Sequence, residues 1–240
     1  MKITFIGTGH GVPEAHKKCS CTMFEIGGKR YIIDMGCDIN PELAERRIPH
    51  ESIKAVFFTH SHTDHTGGLY LFLGLISWYY VKANPEVYLP SEKLITLTNQ
   101  YLEAHSLKLR PELKIALVNE GVIYDDGTLK VTAYKTQHCA DSFAFLLEAE
   151  GKRILCSGDL RRPSVDFPDV RDVDVAILEG AHFDITEYTD IIKERNIKSA
   201  YINHYGIYIG RCEVQRVAAL REGVAPIPVE AASDGMEITL

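Results

Sequence analysis

Three imidazoles and a carboxylate fall within six residues of this chain, in His60-Ser61-His62-Thr63-Asp64-His65. Ala55-Val56-Phe57-Phe58 ahead of them reads as a buried strand, and Thr66-Gly67-Gly68-Leu69 behind them as a turn into a helix. At a strand end, residues two apart point the same way, so His60 and His62 can hold one metal ion. Once the chain turns, Asp64 and His65 face elsewhere and can serve a second. Neutral imidazoles with a carboxylate suit Zn²⁺, and also Mn²⁺ or Fe²⁺. The plain alternative is a His-rich surface loop, but such a loop has no reason to begin on an apolar strand.

Four ligands on one segment do not complete a site, because each ion wants three or four protein ligands plus solvent. The same pattern of apolar strand followed at once by a ligating side chain recurs three times. His138 follows Val131 to Lys135, Asp159 follows Ile154-Leu155-Cys156, and His204 follows Ala200-Tyr201-Ile202. Taken singly, these are a loop His, a turn Asp and a core His. Taken together and in order, they argue for one shared constellation.

The 240 residues show no Pro/Ser linker, low-complexity stretch or short repeat, so residues 1–240 read as a single domain with a substantial core. Strands are expected at Lys2 to Ile6, Thr22 to Ile26 and Arg30 to Asp34, the last two joined by the hairpin signal Gly27-Gly28. Further strands are expected at Glu86 to Leu89, Lys114 to Leu117, Leu129 to Lys135 and Val173 to Leu178, with two more at the C-terminus. Phe143 to Leu147 and Arg153 to Cys156 flank Glu150-Gly151 as a second hairpin. Helices are expected over Pro41 to Arg47, Leu69 to Val81, Ser91 to His105 (Ser91 as N-cap), Ile185 to Arg195 and Cys212 to Arg221. Strands interleaved with helices fit two sheets packed between helical layers.

Composition narrows the partners. The longest apolar stretch, Leu69 to Val81, is interrupted by Gly74 and Ser77 and reads as a buried helix, so no membrane partner is expected. Met1-Lys2 leads straight into a strand without a signal sequence, and a cytoplasmic protein is expected. The six cysteines form no Cys-x-x-Cys pair; Cys19-x-Cys21 is the only close pair, and Cys139 is expected to lie buried beside the metals. A formal charge of −7, with no basic cluster longer than Lys17-Lys18, Arg46-Arg47 or Arg161-Arg162, favours a small substrate over a long nucleic acid.

His-x-His-x-Asp-His after a hydrophobic strand resembles the signature of the metallo-β-lactamase superfamily. Phe5-Ile6-Gly7-Thr8-Gly9-His10-Gly11-Val12-Pro13 is similar to the start of its ribonuclease Z-like branch, and the similarity runs to Asp234-Gly235-Met236. The resemblance implies an α/β fold, a four-layer αββα sandwich of two mixed β-sheets flanked by helices, with two divalent metal ions at one edge. Zinc is the first expectation, manganese or iron the alternatives. On the family's pattern, His60, His62 and His138 match one ion's ligands, and Asp64, His65 and His204 the other's. Asp159 matches the carboxylate that bridges both. Asp34 is similar to an Asp that supports the metal-binding loop by orienting a ligand His or the loop backbone. Asp64 is also placed to contact the attacking water. The family often forms homodimers. The branch's Gly/Pro-rich tRNA-gripping arm has no counterpart, since residues 66–137 read as ordinary helices and strands.

Two ions a few ångströms apart lower the pKa of a water between them from about 16 toward 7, giving the hydroxide that attacks. The leaving group then needs a proton. His182, in Leu178-Glu179-Gly180-Ala181-His182, follows a predicted strand and is the candidate catalytic acid. His10, His16, His50 and His105 lack metal-like context and are assigned to surface or pocket, His10 with the option of lining the cleft. Three functions fit. The first is a phosphodiesterase for a small or nucleotide-type substrate. The second is a hydrolase of carboxylic esters, thioesters or lactones, with Trp78, Tyr79 and Tyr80 lining an acyl pocket. The third is a non-catalytic binding or sensor protein of the same fold.

Overall fold

Both predicted hairpins close on two residues with positive φ, Gly27 and Gly28 (56° and 77°) and Glu150 and Gly151 (51° and 72°), the backbone twist that matches a right-handed strand pair. They set the antiparallel halves of two sheets in a computed structural model that describes residues 1–107, 110–206 and 213–240, of which residues 213–215 for backbone only. The first sheet contains β1 (Lys2–Gly7), β2 (Cys21–Ile26), β3 (Lys29–Ile33), β4 (Ile53–Phe57), β5 (Glu86–Leu89), β6 (Lys114–Leu117) and β14 (Glu237–Thr239), in the order β14-β1-β2-β3-β4-β5-β6. The second contains β7 (Gly121–Asp125), β8 (Lys130–Lys135), β9 (Phe143–Ala149), β10 (Lys152–Cys156), β11 (Val175–Glu179), β12 (Ala200–Asn203) and β13 (Val229–Ala231), in the order β13-β12-β11-β10-β9-β8-β7. Each sheet is antiparallel on one side and parallel on the other, from β3 to β6 in the first and from β10 to β13 in the second.

The inner faces meet over Phe5, Phe24, Tyr31, Phe57, Phe145 and Ile154, all fully buried. The outer face of the first sheet is covered by α1 (Asn40–Glu45), α3 (Leu69–Trp78) and α4 (Glu92–Ala104) through Leu43, Phe72, Leu73 and Leu102. The outer face of the second is covered by α6 (Tyr188–Glu194) and α7 (Glu213–Val224) through Tyr188, Ile192, Leu220 and Val224. The result is the four-layer αββα sandwich. Ser91 caps α4 as expected, its hydroxyl accepting from Leu94 N at 3.2 Å.

Several local expectations shift. The helix from Leu69 stops at Trp78, not Val81, and the 185–195 segment is a 3-10 turn at Ile185–Glu187 followed by α6. Cys212, expected to open the last helix, lies outside the described residues. Two one-turn helices, α2 (Thr63–Thr66) and α5 (Pro163–Asp166), and strand β7 carried no signal strong enough to be expected. β7 is an edge strand with a bulge between Val122 and Tyr124, which breaks the alternation that reveals a strand. Among the described residues no helix is long and apolar enough to cross a membrane.

His50, expected at the surface or in a pocket, is instead buried. Its ring stacks on Tyr80 (centroids 3.7 Å apart) and its Nε2 bonds Asn40 Oδ1 at 3.0 Å, tying α1 to the end of α3. Burial lowers its pKa, holding it neutral. His50→Ala leaves Asn40 without that partner, and thermal or urea unfolding should show a loss of about 1–3 kcal/mol.

Candidate metal centre

β8, β10, β11 and β12 run in one direction, so their C-terminal ends share one edge of the second sheet, the place where parallel sheets gather ligands. His138, Asp159, the 179–182 turn and His204 leave from those ends. The first sheet contributes Asp34 after β3 and the His60–His65 segment after β4. A backbone bond from Phe143 N to Thr59 O, 2.9 Å, joins the two edges.

The local fold of the motif depends on two close approaches. A Cβ on Gly36 would stand 1.7 Å from Asp64 O, and one on Gly68 would stand 1.9 Å from Cys37 O. The chain can therefore double back against the loop after β3, with Met35 N donating to His65 O at 2.8 Å and Gly68 N to Met35 O at 2.7 Å. This fold-back brings Asp64 and His65 round to His204, with the His65 ring still 4.0 Å from that of His60.

All seven residues expected as metal ligands converge. His60, His62 and His138 each offer a ligand atom within 4.8 Å of the others, and so do Asp64, His65 and His204. Asp159 stands between the two groups. Its Oδ2 is 3.6 Å from Nε2 of both His60 and His138 and 3.2 Å from His204 Nε2, while its Oδ1 is 3.5 Å from His65 Nε2. Asp64 Oδ2 lies 3.8 Å from Nε2 of both His65 and His204.

Asp34 touches His65, not the ion-facing atoms. Its carboxylate accepts from Thr59 N and Thr59 Oγ1 at 2.8 and 2.9 Å, and its Oδ2 lies 2.8 Å from His65 Nδ1. That contact orients the ring with Nε2 toward Asp159. Asp34 and His204 both adopt positive φ, 58° and 50°, a conformation that costs a non-glycine residue of order 1–3 kcal/mol and that concentrates at functional sites.

The residues fit a bound divalent ion. His65 Nε2 and Asp159 Oδ1 are buried and have no hydrogen-bond partner, a costly arrangement unless a cation completes it. Burial opposes charge on Asp159, yet the His204 and His65 imidazoles prevail and hold its carboxyl well below the usual range. Burial likewise opposes a charge on His65, and Asp159 and Asp34 overcome it, pushing that imidazole well above its ordinary value. The pocket thus draws positive charge to His65 Nε2. Burial, reinforced by His65, drives His60 far down, and burial also lowers His138, so both rings present neutral lone pairs.

His182 sits at the same centre, its Nδ1 3.8 Å from Asp159 Oδ2 and 2.9 Å from Glu179 Oε2. The Glu179 hydrogen bond raises its pKa. His182 also reaches ligand distance of His138 and Asp159, but the Glu179 contact occupies its Nδ1. Glu179 carried no expectation, and it organises this side. Fully within the core, it accepts from Leu160 N (2.8 Å), Ala181 N (3.0 Å) and His182 N (3.2 Å). The signal was available: a carboxylate ending the apolar run Val175-Ala176-Ile177-Leu178 is a charge at a buried position. His10 lines the mouth, a cleft of about 280 Å³, together with Gly11, His62, Asp64, His182 and His204. Cys139, expected to be buried, is half-exposed.

Residues 1–190 match the family model of the Anti-Pycsar protein Apyc1. Ribonuclease Z of Geobacillus kaustophilus is 31% identical over 148 residues, covering 60% of this chain and 48% of the relative. Ribonuclease Z of Exiguobacterium sp. is 28% identical over 195 residues, covering 78% and 64%. The chain spans about half the length of most of the curated relatives it matches. The short form of human tRNase Z has a TM-score of 0.77 at 21% identity, covering 100% of this chain and 99% of that one. The metallo-β-lactamase fold protein YhfI from Bacillus subtilis has a TM-score of 0.74 at 19% identity, covering 99% and 98%. The structural likenesses establish the metallo-β-lactamase fold. With 190 of its 240 residues matched, the chain belongs to the family of the Anti-Pycsar protein Apyc1.

Proposed function

We propose that this protein is a two-metal phosphodiesterase acting on a small or nucleotide-type phosphodiester. The observation that carries the reading is Asp159, a buried carboxylate shared between two three-ligand groups. His60, His62 and His138 would hold one ion and Asp64, His65 and His204 the other, with Asp159 common to both. The imidazole and carboxylate donors suit zinc first. Bound there, the ions supply an activated water and polarise the phosphoryl oxygens. Asp34 keeps His65 Nε2 directed inward, and Asp64, part-exposed at the cleft mouth, is placed to orient the attacking water. His182 stands on the open side, backed by Glu179, and gives its proton to the leaving oxygen.

The ribonuclease Z relatives support a phosphodiester as the bond cleaved. Trp78 and Tyr79 do not support an acyl pocket, since they line a separate surface groove between α3 and α4 with Tyr70 and Tyr101. The charge of −7 supports a small substrate, as does the run of α3, β5, α4, β6, β7 and β8 through the region where a tRNA-gripping arm would branch. Among the described residues five cysteines are free thiols, which supports a reducing, cytoplasmic setting. With Zn²⁺ or Mn²⁺ supplied, hydrolysis of bis-p-nitrophenyl phosphate should exceed that of p-nitrophenyl esters and a lactone panel by at least about tenfold. The reverse order would overturn the reading.

A further inference from the structure

We propose that the groove beside His182 is a leaving-group subsite, and that Arg161 selects there a leaving group that carries a second phosphate; this rests on the phosphodiesterase reading above. The groove, about 700 Å³, is lined by Arg161, Val165, Phe183 and Asp184, with His182 on one side. His182 also lines the metal cleft, so one ring forms the wall between the two. A substituent that takes its proton from His182 departs on that side, over the groove.

The charges in the groove are unequally spent. Arg162 is held by Glu187 through two hydrogen bonds, of 2.8 and 3.1 Å. Asp184 accepts from Thr186 N and Oγ1 at 3.0 and 2.9 Å and faces Arg216 Nε at 3.8 Å. Among the described residues, the Arg161 side chain makes no hydrogen bond or ion pair. Exposed arginines are common on protein surfaces, but the backbone of this one is unusually restrained. The buried carboxylate of Asp166 accepts from Arg161 N (3.0 Å), Arg162 N (3.1 Å) and Gln137 N (2.7 Å). It thereby staples the loop after Asp159 to the loop that carries His138. Leu160 N is tied to Glu179, the partner of His182. The free guanidinium is thus mounted two residues from Asp159 on a fixed base, in a protein whose overall charge repels anions. A guanidinium so placed meets a phosphate with paired N–H donors.

The test uses the metal-loaded protein and three thymidine dinucleotides: TpT, pTpT and TpTp. Wild type should prefer the one whose departing nucleoside bears the extra phosphate, with KM about tenfold below that of TpT, the worth of one charge-assisted contact. Arg161→Ala should bring that ratio close to one and Arg161→Lys should restore part of it, while Arg162→Ala should keep it. An unchanged ratio in Arg161→Ala, or no preference in wild type, overturns the proposal. Calorimetry with thymidine 3′,5′-bisphosphate judges the subsite without turnover. Binding about tenfold weaker in Arg161→Ala supports it even if no diester is cleaved, a result that would sink only the diesterase reading. Equal binding in the two proteins overturns the subsite.

Discussion

Asp159→Ala should reduce phosphodiester turnover by well over about a hundredfold, because even the loss of a group behind a metal ligand costs 10–100-fold in affinity or activity. Among the described residues Asp159 is the one anion that faces both groups, within 3.2–3.6 Å of the Nε2 atoms of His60, His65, His138 and His204. Without it, four imidazoles converge with no shared counter-charge, and two cations brought to them would repel each other unscreened. Metal content should fall from two ions per chain to one or fewer by elemental analysis. Chelation of the wild type should reproduce the loss of activity. The β10 strand that delivers the residue is held by its neighbours on both sides, so the variant should remain folded. A variant that keeps both ions and its turnover would remove Asp159 from the centre of the site.

His182→Ala should lower kcat by about 10²–10⁴-fold, the usual worth of a positioned acid, with both ions retained. The position argues for a proton donor: the side chain is 37% exposed where Asp159 is 2%, and its Nδ1 is held at 2.9 Å by Glu179. The test that separates roles is the leaving group. p-Nitrophenolate departs readily without a proton, whereas a nucleoside alkoxide does not, so the variant should lose far more rate with a dinucleotide than with bis-p-nitrophenyl phosphate. An equal loss on both would show that His182 does not protonate the leaving group. Loss of an ion would make it a ligand.

Much of the centre is legible in the sequence because its rule is local. Each candidate ligand follows an apolar strand, and strand alternation fixes which side chains face together. His138, Asp159 and His204 are therefore recognisable at the ends of β8, β10 and β12, and Ser91 and Gly27-Gly28 are recognisable as cap and turn. β7 is not, because its bulge and its edge position remove the alternation. His50 is not, because burial is a property of what packs over a residue. Its cover, Tyr80, is 30 positions further on, past the end of α3.

Sequence alone determined the strand-end grammar and the candidate donor set, and its resemblance to a known family carried the fold class. Tertiary structure alone brought the donors into two three-residue groups, because residues up to 140 positions apart, Asp64 and His204, meet only when two sheets pack face to face with their ligand-bearing edges aligned. It also decided the roles of like residues. Glu179 becomes the anchor of His182 because a buried carboxylate must find donors. Arg161 and Arg162 are the same residue type in adjacent positions, and the fold places Glu187 against only the second. Charge in the chain is a count, but its availability depends on which opposite charge the packing brings within a few ångströms.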